Sequence, residues 1–122
     1  MKSPRSGSRN SPVMNNIFSV PTDLPRVEEF FEILCSGDGI RVERINSHGQ
    51  QTPDGIWLDQ ELDEWVVLLQ GGAKLAFDNG PVVEMRRGDA LCIPAHTRHR
   101  VEWTSSDSPC IWLAVHARMD VL

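Results

Sequence analysis

The sequence predicts an all-β sandwich or barrel, on three observations. About eight short segments carry strand character, turn signals recur about every 8–12 residues, and only one segment reads as a helix. The chain has 122 residues, enough for one domain and too few for a second full core. Its 40% apolar and 24% charged residues are a globular mix, which excludes wholesale disorder.

Residues 1–16 are Ser, Pro, Arg, Asn and Gly without periodicity and read as a disordered leader. Residues 17–39 read as an N-terminal extension. Within it Pro21-Thr22-Asp23 offers a helix N-cap, and Leu24, Val27, Phe30, Phe31 and Leu34 recur at helical spacing. The spacing predicts one short helix over 24–35, stopped by Ser36-Gly37-Asp38-Gly39. From 40 to 122 the period is that of strands. Segment 40–47 alternates, 48–55 is a polar loop, 56–59 is a short strand, and 64–70 is a strand ended by Gly71-Gly72. Segments 73–77 and 82–85 flank Asp78-Asn79-Gly80-Pro81, a hairpin signature. Segments 90–93, 99–104 and 111–117 complete the set.

Charge and motif content remove several function classes. Twelve basic against seventeen acidic residues give a net charge of −5, and Lys2, Arg5 and Arg9 sit in the leader, so the body is more acidic still. An acidic body repels polyanions, which argues against nucleic acid and anionic membrane as partners. The longest apolar run, Trp65-Val66-Val67-Leu68-Leu69, is far too short to span a bilayer. Cys35, Cys92 and Cys110 form no Cys-x-x-Cys, so neither a disulfide framework nor a thiolate zinc site is indicated. No apolar signal segment opens the chain, and a cytoplasmic location is the expectation. Phosphate-cradling and nucleophile-elbow patterns are missing.

Two spacings carry a family resemblance. Glu64-Trp65-Val66-Val67-Leu68-Leu69-Gln70-Gly71 and Gly88-Asp89-Ala90-Leu91-Cys92-Ile93-Pro94, followed by His99, resemble the two motifs of the cupin superfamily. The resemblance covers roughly 40–117 and implies a single jelly-roll β-barrel. The run around Asp59-Gln60 is also similar to a subgroup of single-domain cupins that carry an Asp-Gln pair. The family's His-x-His pair is missing. Its place falls on Leu58 and Gln60, or on Trp57 and Asp59, depending on the gap before Glu64. His96 stands where the second motif has Gly, and Trp103 where it has Asn.

The resemblance implies that Glu64 and His99 point into the barrel and hold a divalent transition metal (Zn, Fe, Mn or Ni). Gln60 keeps the strand parity of Glu64 and offers an oxygen; Asp59 brings charge but needs a kink to face inward. His96 is three residues from His99 and is placed to ligate or to serve as a catalytic acid/base. The metal-free reading pairs Glu64 and His99 with each other and with Arg98 or Arg100. Trp57, Arg98 and Trp103 are candidate pocket residues. The Trp rings would wall a small ligand, the Arg would clamp a carboxylate, and Trp103 shares strand parity with His99 and Val101. His48 and His116 read as ordinary surface or core histidines. The expected function is small-molecule binding, either with metal-assisted chemistry on an oxygen-rich substrate or as a metal-free sensing barrel. The apolar outer positions Trp65, Val67 and Leu69 point to a homodimer, or equally to cover by the 24–35 helix.

Overall fold

A computed structural model describes residues 11–19 and 29–120. Eight strands run in chain order: β1 (Phe30–Gly37), β2 (Ile40–Ser47), β3 (Asp63–Gln70), β4 (Ala73–Phe77), β5 (Val82–Met85), β6 (Ala90–Ile93), β7 (His99–Thr104) and β8 (Cys110–Ala117). Two antiparallel sheets, ordered β1-β2-β8-β3-β6 and β5-β4-β7, pack face to face. Among the described residues no helix is long and apolar enough to cross a membrane.

The core lies between the sheets, where alternation sends every second side chain. Val66 and Leu68 of β3, Trp112 and Ala114 of β8, Ala73 and Leu75 of β4, Met85 and Ile93 form one buried cluster. Trp65, on the other face of β3, is exposed. At the β3–β4 corner Gly71 has φ +91° and packs on Cys110; a Cβ there would lie 2.7 Å from the Cys110 sulfur. Both conditions exclude a side chain.

The helix expected over 24–35 is corrected. Residues 30–35 belong to β1, while 24–28 and the Pro21-Thr22-Asp23 cap lie outside the described residues. The Asp38-Gly39 turn, with Gly39 at φ +75°, folds β1 back onto β2 from Gly37↔Ile40 to Phe30↔Asn46. An Asp-Gly pair between two strand-capable runs is a hairpin signal, and the pairing outweighs the marginal stability of an isolated 12-residue helix. The strand expected over 56–59 is a single bridge, Leu58↔His99.

On the outer face of the hairpin, cross-strand partners Glu32 and Arg44 form an ion pair. Arg44 Nη1 also donates to the carbonyl oxygens of Asn16, Ile17 and Ser19, at 2.9, 3.1 and 3.0 Å. The N-terminal segment thereby covers Arg44, whose side chain is only 6% exposed. The leader expected over 1–16 thus ends in a residue that contacts the barrel; residues 1–10 lie outside the described ones. Arg44→Met removes these bonds and should lower the unfolding free energy by about 2 kcal/mol, read from urea denaturation. A change below about 0.5 kcal/mol would show that the segment is not anchored there.

Candidate functional site

The interior of the larger sheet carries a row of ionisable groups. Register places Glu64 of β3 directly opposite His116 of β8, with Arg41 of β2 beyond it. Directly paired residues of antiparallel strands point the same way, about 5 Å apart, and the diagonal neighbour is within reach of a long side chain. Glu43, paired with Ala114, is that diagonal neighbour: its carboxylate meets His116 Nε2 at 2.9 Å. Arg41 Nε stands 3.7 Å from the same carboxylate, with its side chain 41% exposed. From the smaller sheet, the first residue of β7 brings His99 across. Its main chain is held by Leu58, with Leu58 N to His99 O at 2.7 Å and the reciprocal bond at 3.1 Å.

These groups share one cavity of about 90 Å³, walled by Val66, Leu75, Val101 and Trp112 and also lined by Glu29, Glu43, Gln60, Glu64, His99 and His116. Glu64, His99 and His116 are all buried. His99 Nδ1 lies 2.7 Å from the Thr97 carbonyl oxygen. A carbonyl only accepts, so Nδ1 carries the proton and Nε2 keeps a lone pair when the ring is neutral. Glu29 accepts from the Ser47 hydroxyl, which accepts in turn from Trp112 Nε1 at 3.2 Å.

Burial raises Glu64 above the usual carboxylate range, against the opposing pull of the His116 and His99 imidazoles. Burial raises Glu29 as well, opposed by the Ser47 hydrogen bond. Among the described residues Glu64 makes no hydrogen bond. Neighbouring Asp63 does the reverse: it accepts from Met119 N and Ala95 N, both at 2.8 Å, and is lowered by them. Asp63 thus ties the turn before His99 to the strand that carries Glu64.

The remaining sequence candidates lie elsewhere. Segment 57–60 keeps strict alternation: Leu58 and Gln60 line the cavity, and Asp59 is not kinked inward. Asp59 instead meets His96 Nδ1 at 2.8 Å, with the two side chains 46% and 65% exposed. His96 has φ +60°, the left-handed conformation that explains Gly at this place in the motif. Arg98 lies 5.8 Å over the Trp57 ring and donates to Asp78 at 2.8 Å, so its guanidinium is spent outside the cavity. Arg100 donates to the Thr52 carbonyl, so neither arginine pairs with Glu64 or His99.

Trp103 does not share the face of Val101, a correction with a clear cause. Val101 pairs with Leu75 and Trp103 with Lys74, so β7 spends two residues against one of β4. The bulge at Glu102 inverts the parity. Trp103 then lies on the outer face beneath the Lys74 ammonium, 5.9 Å from its ring centroid. Glu43 and His116 carried a weak signal in sequence, an ionisable residue recurring within an alternating strand, but alternation alone does not say which face is interior. Glu29 carried none.

The expected metal-ligand set is not assembled. Glu64, His99 and Gln60 line the cavity, but Asp59 is bound to His96 outside it, and His116 and Glu43 are committed to each other. Among the described residues no three His, Cys, Asp or Glu side chains are grouped to hold an ion. A transition-metal centre wants three or four such donors, so the arrangement does not fit one.

Two antiparallel sheets enclosing a cavity lined by carboxyls and imidazoles define a small two-sheet β-barrel. The Cupin domain model matches residues 47–116, and the chain belongs to the cupin family. It is 42% identical to a protein from Ralstonia eutropha JMP134, provisionally named a mannose-6-phosphate isomerase, over 88% of this chain and 100% of that one, with a TM-score of 0.82. A cupin superfamily protein from Desulfitobacterium hafniense DCB-2 is 17% identical over 80% of this chain and 84% of that one, with a TM-score of 0.65. The polyketide cyclase RemF from Streptomyces resistomycificus is 21% identical over 76% and 67%, with a TM-score of 0.63. The last two likenesses show the fold alone. A comparison with curated proteins found no significant match.

Two outcomes check this geometry. Below the ordinary Glu value of 4.5, both states of the protein hold Glu64 protonated. As pH rises past that value the unfolded chain ionises first, so the folded state binds more protons and loses stability. Glu64→Gln should therefore be more stable than the parent near about pH 7, by a margin that vanishes below 4.5, read from urea midpoints across pH. His96→Gly should change stability by no more than about 1 kcal/mol, since relief of the left-handed backbone offsets loss of the exposed Asp59 pair.

Proposed function

We propose that the chain is a small-molecule-binding cupin in which Glu64 and His99 form a metal-free acid/base pair acting on a small oxygen-rich substrate. One observation carries the reading: a buried carboxyl, whose burial favours its protonated form, and a buried imidazole share a single small cavity. Burial favours the protonated form of Glu64, a donor; the Thr97 carbonyl holds the Nδ1 proton of His99, leaving Nε2 to accept. A carbonyl compound seated between them gives a proton from its neighbouring carbon to His99 Nε2. Glu64 gives its own proton to the carbonyl oxygen, and an enediol forms. Return of a proton from the imidazolium to the adjacent carbon, and of an enediol hydroxyl proton to Glu64, completes an isomerisation without a further reactant. The provisional isomerase name of the 42% identical Ralstonia protein supports this class of reaction.

Solvent deuterium incorporation into a panel of small hydroxy-carbonyl compounds, followed by NMR, tests the proposal. The full chain should catalyse exchange. Glu64→Gln and His99→Ala should each slow it by about 10²-fold or more, and His48→Ala should leave it unchanged. Protein purified without chelators should hold well under one equivalent of any transition metal. One equivalent of tightly held metal whose removal abolishes exchange would overturn the acid/base reading in favour of a metal-assisted one.

A further inference from the structure

Resting on that reading, we infer that the cavity selects an uncharged hydroxy-carbonyl ligand of about triose size and rejects its phosphorylated and carboxylated counterparts. The charge inventory of the walls carries the inference. Glu29, Glu43 and Glu64 line the cavity, and among the described residues no Lys or Arg does. The Arg41 guanidinium reaches inward only as far as the Glu43 carboxylate, at 3.7 Å, and that carboxylate also takes His116 Nε2 at 2.9 Å. Arg98 is bound to Asp78 and Arg100 to the Thr52 carbonyl. A phosphate or carboxylate entering here would shed its water and meet three carboxyls, apolar side chains and two imidazoles already hydrogen-bonded to Thr97 and Glu43, with no Lys or Arg among the described lining residues to receive it. Burying an anion on those terms is costly.

A cationic ligand is disfavoured for a different reason. Glu43 and Glu29 already have partners in His116 and Ser47, and the remaining carboxyl, Glu64, is buried among Val66, Ile93 and the two imidazoles. An ammonium would need Glu64 ionised in that setting. An uncharged carbonyl or hydroxyl needs only one donor and one acceptor, and Glu64 and His99 Nε2 supply them. Size points the same way. The cavity of about 90 Å³ is well below the roughly 300–1,000 Å³ of drug-sized pockets. A sugar phosphate would bring an anion to these walls, so the name carried by the Ralstonia relative does not transfer to this pocket as a substrate.

Four three-carbon probes that differ chiefly in charge test the inference: dihydroxyacetone, glycerate, dihydroxyacetone phosphate and the amine serinol. Each is titrated into the full chain while the His99 ring and the Val66 and Val101 methyls are followed by NMR. Dihydroxyacetone should shift these signals with an affinity at least about tenfold above either anion and above serinol. Gln60→Arg, which places a cation at the cavity wall on a loop rather than a strand, should raise the affinity for dihydroxyacetone phosphate at least about tenfold. An anion or serinol binding in the cavity as tightly as dihydroxyacetone would overturn the charge selectivity and leave the acid/base pair standing. If no probe of any charge moves these signals, both the selectivity and the proposed function fall.

Discussion

A buried carboxyl without a permanent partner is the constraint around which this barrel is organised. Strand alternation sends Glu64 into the same interior as Val66 and Leu68, and a carboxylate there is costly unless paired or protonated. The cross-strand register sets His116 opposite it, but His116 is taken by Glu43. His99, arriving from the other sheet, is taken at Nδ1 by a backbone carbonyl. Each neighbour is thus engaged elsewhere, and burial favours the protonated form of Glu64. A fully paired interior row would be inert; the acid/base pair proposed above draws on a carboxyl and an imidazole nitrogen of the row that no hydrogen bond engages among the described residues.

The surrounding structure holds that row in place from outside. Segment 57–60 is bridged to His99 through Leu58 and to the preceding turn by His96 N donating to Gln60 O at 2.8 Å. Its outward side chains are engaged as well, Asp59 with His96 and Trp57 with Arg98. Asp63 binds that turn through Ala95 and the C-terminal segment through Met119. The side chains expected to do chemistry at the rim therefore fix the position of those that line the cavity. Of the positions where the family's His-x-His pair would fall, Leu58 and Gln60 take the inward places and line the cavity.

Two local irregularities decide which residues take part. The bulge at Glu102 turns Trp103 out of the barrel and leaves His99 and Val101 as the inward pair of β7. The Asp38-Gly39 turn converts an apolar run with helical spacing into β1, which brings Phe31 to the cavity and Glu32 to Arg44.

Strand periods and turn residues determined most of the fold from sequence alone. The bounds of β2, β4, β5, β6 and β7 follow from alternation and from Asn-Gly, Gly-Gly and Arg-Gly-Asp turns, because a period of two and the need for positive φ are local properties. Glu64 and His99 were legible as inward residues through motif spacing. Helical spacing misled over 30–35, since Phe30, Phe31 and Leu34 serve equally in a hairpin strand, and only the partner strand decides. Glu43 and His116 were decided by the tertiary structure. Alternation assigns residues to two faces but does not say which is interior, and the Glu43–His116 contact is a diagonal across β2 and β8, strands separated by most of the chain. The charge of the cavity was equally invisible: Arg41, Arg98 and Arg100 are counted in the composition, and only the packed structure shows them spent outside it.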